Sequence, residues 1–390
     1  MTGSPAAARP GASVARFASE RERAGWDALI AANPGGGEVW QGSAYLAVKR
    51  GEGRYLPRHV VAERPGRPPV AVGVLAKRVP GLGEWWHLPA GPAGDSAGDV
   101  LDVAGAVARL AREQGAFLLK VEPRLDPSAR DAFHAAGYRD AVRIIPNPST
   151  VLLDVGGTED EVFARLGKKA RNSINRARRD GIEVMRVPST DENCAVLFRL
   201  LAETAEGKFV LRRPSYYRAF WQTFERAGSG QMFLAYRADP SGEDASHPSG
   251  SRADATASGA DGGPGRPQLV AGAYAIALGA KTTYKDGASV RAKTAYGASH
   301  ALQWEVIRWA NERGAAVHDL CGAPPADEAD DREHPLFGVG QFKRSFSPEI
   351  TDYAGAFDLP LKRGAYAFWT TLGDRLARRA SLALTKDPYY

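Results

Sequence analysis

Apolar positions in this chain recur at two spacings, and the alternation between them outlines strands and helices. Val70-Ala-Val-Gly-Val-Leu-Ala76, Phe117-Leu-Leu-Lys-Val-Glu122 and Leu269-Val-Ala-Gly-Ala-Tyr-Ala-Ile-Ala277 are near-continuous apolar runs bounded by turn residues, which predicts buried strands. Further strands are expected at 59–63, at 151–155, at 232–237 and at 352–357. The run Trp85-Trp-His-Leu-Pro-Ala-Gly-Pro92 reads as an aromatic strand entering a turn, and 269–278 with 281–285 as a hairpin around Gly279-Ala280. Elsewhere apolar residues return every three or four positions, which predicts helices over 20–32, 40–49, 127–136, 191–206 and 215–227 and one ending at Gly115. The first of these stops at Asn33-Pro-Gly-Gly-Gly37. A last amphipathic helix carries Trp369, Leu372 and Leu376.

The pattern repeats. Val107-Ala-Arg-Leu-Ala-Arg-Glu-Gln-Gly-Ala116 and Val306-Ile-Arg-Trp-Ala-Asn-Glu-Arg-Gly-Ala315 share six of ten residues; each follows an apolar strand, ends a helix at its Gly and feeds a strand. A register of about 200 residues is too long for a solenoid and points to one α/β domain duplicated and fused. The expected division is 16–150 plus 350–390 for the first domain and 151–349 for the second, the boundary falling at Pro146-Asn-Pro-Ser-Thr150. The helix–helix–strands–helix–strand–helix order is that of acyltransferase domains of the GNAT type, an analogy of fold that carries no activity by itself. Residues 1–15 read as disordered. So does 240–267, made almost wholly of Gly, Ser, Ala, Asp and Pro, which cannot bury enough surface to offset its ordering entropy.

Composition narrows the class. The longest uncharged apolar run, 269–280, has 12 residues and is too short to span a membrane, and the N-terminus lacks an apolar signal core. Two cysteines and seven scattered histidines offer neither a disulfide framework nor metal-ligand spacing, so a reduced, cytoplasmic, metal-free protein is expected. The net charge of +6 is unevenly spread: 165–179 carries seven Lys or Arg and no acid. Phe163, Leu166, Ala170, Ile174 and Ala177 recur at intervals of 3, 4, 4 and 3, predicting an amphipathic helix with a basic outer face. Such a face suits a solvated surface, a polyanion bound by counterion release, or anionic lipid head groups.

Chemistry concentrates near the end of the chain. Val317-His-Asp-Leu-Cys-Gly322 reads as a strand with an inward Asp319 running into Gly322, and Phe337-Gly-Val-Gly-Gln-Phe-Lys343 as a Gly-punctuated turn presenting Lys343 to a ligand.

Several local patterns then occur in order: Trp40-Gln…Val48-Lys49; Gly91-Pro92; Gly137-Tyr138…Pro148-Ser-Thr150-Val-Leu-Leu-Asp154; Leu166-Gly-Lys-Lys-Ala-Arg171-Asn172; Arg212…Tyr216-Tyr217; Tyr284…Gly287-Ala-Ser289; Asp319-Leu-Cys-Gly322; Gly338…Phe342-Lys343. Together, across roughly residues 38–358, they resemble the Fem family of peptidoglycan aminoacyltransferases, which move an amino acid from aminoacyl-tRNA to the stem peptide of a cell-wall precursor. The resemblance implies two tandem GNAT-like domains, with the chain's end returning to the first, and no long helical arm. It implies a peptidoglycan precursor (lipid II or UDP-MurNAc-pentapeptide) as acceptor, aminoacyl-tRNA as co-substrate with no other cofactor, and a cytoplasmic monomer working at the inner membrane face.

The resemblance also assigns residues. Lys49 and Arg212 match positions that hold the precursor's diphosphate, one cation from each domain. Tyr216 and Tyr284 match aromatic positions of the same site, where a buried structural Tyr is the plainer alternative. Phe342 and Lys343 match the pair beside the reacting ester, the ammonium facing the oxyanion that forms on attack. Asp319 either orients that loop or simply bonds backbone amides at a strand end. Where the family has an Asp–Tyr pair after Gly-Pro, this chain has Ala93-Gly-Asp95-Ser96-Ala-Gly-Asp99, which lacks the Tyr and leaves Asp95 or Asp99 as the acceptor contact. Lys168, Lys169, Arg171 and Arg176 are the candidate tRNA contacts. No Ser–His–Asp or Cys–His grouping is legible, and no residue stands out as a general base. A CoA-dependent acetyltransferase of the same fold is the main rival, but its Gln/Arg-x-x-Gly-x-Gly/Ala phosphate loop does not occur near 90–100 or 286–298. A peptide natural product as acceptor is another. A GC-rich, actinobacterial type of composition makes glycine the expected group.

Overall fold

The computed structural model describes residues 12–145, 149–205, 210–238, 267–290, 296–385 and 387–390. It divides into two compact units, one of residues 1–148 with 351–390, the other of 149–350.

The first unit is built on strands β1 (Val14–Phe17), β2 (Leu56–Arg64), β3 (Arg67–Val79), β4 (Gly83–Leu88), β5 (Ala116–Val121) and β6 (Arg139–Ala141). Neighbours β1 to β4 pair antiparallel, and β4 to β5 is parallel. A parallel step needs a crossover, and the Ala97–Glu113 helix provides it, burying Val100, Val103, Ala104 and Val107 on one face against the sheet. The second unit repeats the plan with β7 (Leu152–Asp154), β8 (Ile182–Val187), β9 (Gly230–Arg237), β10 (Gln268–Leu278), β11 (Lys281–Ser289) and β12 (Val317–Asp319). Here β8 to β11 pair antiparallel, and β11 to β12 is parallel through the Ala298–Glu312 helix. The chain then returns to the first unit as β13 (Ala356–Pro360), which lies between β5 and β6. In the second unit β7 takes the equivalent place beside β12.

The ten-residue repeat therefore falls on equivalent helices, and Gly115 and Gly314 close them with φ of +80° and +73°, the left-handed cap that glycine adopts without penalty. Each core consists of the buried sheet face and its crossover helix, with Trp86 and Phe357 in the first unit and Phe233 and Trp309 in the second.

Four expectations fail. The disorder expected over 1–15 is contradicted at 14–15 by β1, a four-residue edge strand too short to read from periodicity, which Arg16 ties to Glu22 and Glu63 at 2.7 Å each; residues 1–11 lie outside the described ones. The helix expected over 20–32 breaks at Gly25 into Glu20–Ala24 and Trp26–Ala31. The basic helix is two helices, Glu159–Arg165 and Lys168–Arg179, because Gly167 donates its N–H to the Phe346 carbonyl at 2.8 Å and sits so close to that segment that a Cβ would lie 2.3 Å from the Ser345 oxygen. The Gly-punctuated turn before Lys343 is a helix, Phe337–Arg344; its glycines serve packing, and a Cβ at Gly340 would lie 2.6 Å from Pro324 Cδ. Of the segment expected to be disordered at 240–267, all but Pro267 lies outside the described residues. Among those residues no helix is long and apolar enough to cross a membrane.

Candidate active site

In the second unit the end of β12 and the Phe337–Arg344 helix build one cluster around Lys343. Cys321 takes a left-handed φ of +59°, rare for a residue with a side chain, and this turns two successive carbonyls toward one point. Lys343 Nζ donates to both, to the Cys321 oxygen and to the Gly322 oxygen at 2.7 Å. The Cys321 N–H is in turn fixed by Asp319 Oδ1 at 2.7 Å, an oxygen that also accepts from Thr150 Oγ1. Asp319 thus bonds a backbone amide at a strand end and, by doing so, sets the turn that holds the lysine. It is partly exposed, not inward.

Lys343 is 6% exposed, and burial lowers its pKa to about 8, against the opposing pull of Cys321 and Asp319. An ammonium carries three hydrogens. Two are engaged by carbonyls here, leaving one for a further acceptor. Phe342 packs edge-on against His300 at 5.0 Å and against Phe346 at 5.3 Å, at the border of the second unit's core. His300 bonds Ser345 Oγ at 3.1 Å, and burial pushes its pKa down to about 4, too low for it to take a proton efficiently from an alkyl amine.

A second cluster in the same unit gathers around Arg212. Its guanidinium lies 4.4 Å from the centre of the Tyr216 ring, at the start of the Pro214–Arg226 helix. Tyr284 stands on β11 beside a bulge: Tyr274 pairs with Asp286 and Ala275 with Tyr284, leaving Lys285 as the extra residue. Lys285 pairs with Asp286 at 2.8 Å over the Phe220 ring, and Trp221 Nε1 donates to Asp286 at 2.9 Å. Burial raises the pKa of Tyr284, with the Asp286 charge adding to it. Lys285 and Asp286 escaped the sequence reading although they lie inside the Tyr284…Gly287 pattern. The adjacent Lys-Asp pair, in a strand otherwise mostly of threonine, tyrosine and small residues, was the available signal.

In the first unit Lys49 is 4% exposed on the Ser43–Gly51 helix, paired with Glu52 at 2.7 Å and set against the Tyr45 and Tyr55 rings. Asp95 is exposed and makes no hydrogen bond or ion pair among the described residues, whereas Asp99 lies in the first turn of the Ala97–Glu113 helix and binds Arg67. Asp95 is the less engaged of the two.

On the Lys168–Arg179 helix, Ala170, Ser173, Ile174 and Ala177 are buried, while Lys168, Lys169 and Arg176 are exposed. Arg171 donates to the Ala164 carbonyl at 2.6 Å and so joins the two helices; Arg176 pairs with Asp180 at 3.3 Å and stacks on Tyr296. Lys168 and Lys169 occupy the first turn, where the helix dipole disfavours cations. Among the described residues no cluster of His, Cys, Asp and Glu is placed to hold a metal ion.

Comparison with known proteins agrees with this architecture. The FemAB family model matches residues 132–236 and 253–373. The chain is 21% identical to a lipid II:glycine glycyltransferase of Staphylococcus aureus (strain MRSA252) and 22% identical to one of Staphylococcus epidermidis, in each case over 90% of this chain and 94% of the relative. A crystal structure of FemX superposes with a TM-score of 0.70 at 15% identity, over 91% of this chain and 99% of that one. The chain belongs to the FemAB family, as an aminoacyltransferase on two GNAT-like units.

Proposed function

We propose that this enzyme transfers glycine from glycyl-tRNA to the stem-peptide amine of lipid II, building an interpeptide bridge of peptidoglycan. The observation that carries the reading is the placement of Lys343: a buried ammonium, positioned by two carbonyls, with one hydrogen left for an oxyanion. The choice of glycine and of a lipid-linked acceptor draws on the relatives, which bear that activity in their names over nearly their whole length.

The reaction needs no further activation, because an aminoacyl ester is already a reactive acyl donor. The acceptor nitrogen attacks the ester carbonyl and a C–N bond forms. Charge moves onto the carbonyl oxygen, where Lys343 would stabilise it. Collapse breaks the ester C–O bond, and the tRNA ribose oxygen leaves with the proton given up by the amine. Correct placement of amine and ester can supply about 7–11 kcal/mol of the acceleration. An alkyl amine of pKa about 10 costs about 4 kcal/mol to deprotonate at pH 7, and desolvation reduces that cost.

We assign Arg212, with Tyr216 against its guanidinium, to precursor phosphate in the second unit, and Lys49 to the same chemistry in the first. Lys49 has to exchange Glu52 for phosphate to serve. Lys168 and Lys169, kept at a helix start against the dipole, are assigned to tRNA phosphates. The test mixes enzyme, lipid II or its nucleotide-linked counterpart, and a panel of charged tRNAs, and reads product mass. A single added glycine on lipid II is expected; acetylation from acetyl-CoA with no aminoacyl transfer would replace this reading by the acetyltransferase one.

A further inference from the structure

The last helical stretch of the first unit runs from Arg363–Phe368 through a π-turn, Trp369–Gly373, into Asp374–Thr385, and it presents its faces in reverse. A helix on a protein surface ordinarily turns its apolar stripe inward and its polar side chains to water. Here buried Tyr366 and Trp369 anchor the start, the Trp369 ring lying 6.0 Å from that of Phe117 on β5. Beyond them the side chains that meet the rest of the unit are polar. Asp374 pairs with Arg378 at 2.8 Å and accepts from the Tyr390 hydroxyl. Ser381 donates to the Asp387 carbonyl at 2.9 Å, and Arg54 donates to Thr385 Oγ1 at 3.0 Å. The apolar side chains point away: Phe368, Leu372, Leu376, Leu382 and Leu384 are between 44% and 84% exposed.

The π-turn shapes that outer face. Asp374 donates its N–H to the Trp369 carbonyl five residues back, and a Cβ at Gly373 would lie 2.8 Å from the Trp369 ring. In an α-helix residues four apart drift round the axis; the wider turn holds Phe368, Leu372 and Leu376 in one row. The charges about the row are of one sign. Residues 363–385 hold four arginines and a single acid, Asp374, which Arg378 and Tyr390 engage. Arg375 and Arg379, one turn apart beside the row, are exposed and make no ion pair among the described residues.

We propose that this face lies on an anionic phospholipid surface, with Phe368 and the leucines among the acyl chains and Arg375 and Arg379 at the lipid phosphates. Arginine stems can run along apolar surface while their guanidiniums stay at head-group level. The cationic rim rules against a second copy of the same face, which would bring like charges together. Among the described residues no helix is long and apolar enough to cross a membrane, so the contact is made in the plane of the interface. The inference goes beyond the proposed function and takes from it only a purpose: keeping an enzyme with a lipid-linked acceptor at the surface where that acceptor resides.

The experiment has a binding arm that needs no turnover. The full-length protein is floated with vesicles of phosphatidylcholine alone, or of equal parts phosphatidylcholine and phosphatidylglycerol, neither holding lipid II. It should partition onto the mixed vesicles and far less onto phosphatidylcholine. Leu372→Ser with Leu376→Ser should lower the partition coefficient at least about a hundredfold, about tenfold for each side chain withdrawn from the acyl region. Arg375→Gln with Arg379→Gln should lower it about thirtyfold, about fivefold for each cation near an anionic surface. All four side chains face water, so melting temperatures should match wild type. Leu376→Cys carrying a nitrobenzoxadiazole dye should brighten and shift to the blue on binding; Cys194 and Cys321 are buried and leave position 376 the labelled one. In the kinetic arm the leucine variant should raise KM for lipid II in vesicles and leave the nucleotide-linked precursor unaffected. No partition onto the mixed vesicles, equal partition of wild type and leucine variant, a dye that stays in water in the bound protein, or a wild-type dimer that the leucine variant abolishes would overturn the proposal. If no transfer is seen with any precursor while the vesicles still bind through Leu372 and Leu376, the proposed function fails and the surface contact stands.

Discussion

The carboxylate of Asp319 and the ammonium of Lys343 do not meet; they grip opposite ends of one residue. Asp319 holds the N–H of Cys321, and Lys343 is held by its carbonyl. The acid therefore acts on the lysine in two ways, by shaping the turn that receives it and by raising its pKa through space, against a stronger effect of burial.

Lys343→Ala should lower the rate of transfer by about ten- to a thousand-fold, the range for losing one oxyanion donor. KM for either substrate should change little. Circular dichroism and a melting curve check that the fold survives the loss of the two carbonyl contacts.

The pH dependence has a definite sign. An unfolded chain keeps the lysine proton to about 10.5, whereas the folded protein releases it at about 8. Below pH 8 the buried charge opposes folding, and that penalty disappears as pH rises from 8 to 10.5. Relative to Lys343→Met, wild type should gain stability across this window, by up to roughly 3 kcal/mol for a shift of this size. Activity should respond the other way, kcat falling as the ammonium deprotonates near pH 8, with that limb absent from the residual activity of Lys343→Arg. Denaturant melts and a pH–rate profile read the two effects separately.

Asp319→Asn should keep the acceptor for the Cys321 N–H and remove the charge. The descending limb of kcat should then move to lower pH, while maximal kcat falls by less than in Lys343→Ala. Asp319→Ala, which loses the acceptor as well, should approach the Lys343→Ala rate. An unmoved limb in Asp319→Asn would mean that the carboxylate acts through geometry alone.

The strands, the crossover helices and the duplication were legible because each rests on local periodicity. The Lys343 site was legible only as a set of residue types. Nothing in Phe337-Gly-Val-Gly-Gln-Phe-Lys343 announces a helix, since glycine disfavours one; packing of Gly340 on Pro324 overrides the propensity. The break at Gly167 was hidden for the same reason: the apolar spacing runs through it, and the contact that splits the helix comes from Ser345 and Phe346, far along the chain.

Charge reversal at Lys168 and Lys169 should raise KM for the charged tRNA and flatten the plot of log affinity against log salt by about two units, as fewer counterions are released. Both side chains are exposed and bear on no core residue, so stability should hold. An effect confined to lipid II in vesicles, with the nucleotide-linked precursor unaffected, would assign the helix to the membrane surface instead.

The single-turnover rate of glycyl transfer from glycyl-tRNA to lipid II, measured with wild type and Lys343→Ala at saturating substrates, tests the role of Lys343 in this reaction. The wild type should add one glycyl residue per acceptor, and the variant should react at least about tenfold more slowly. Equal rates in the two proteins, or a wild type that leaves lipid II unchanged with every charged tRNA supplied, would contradict it.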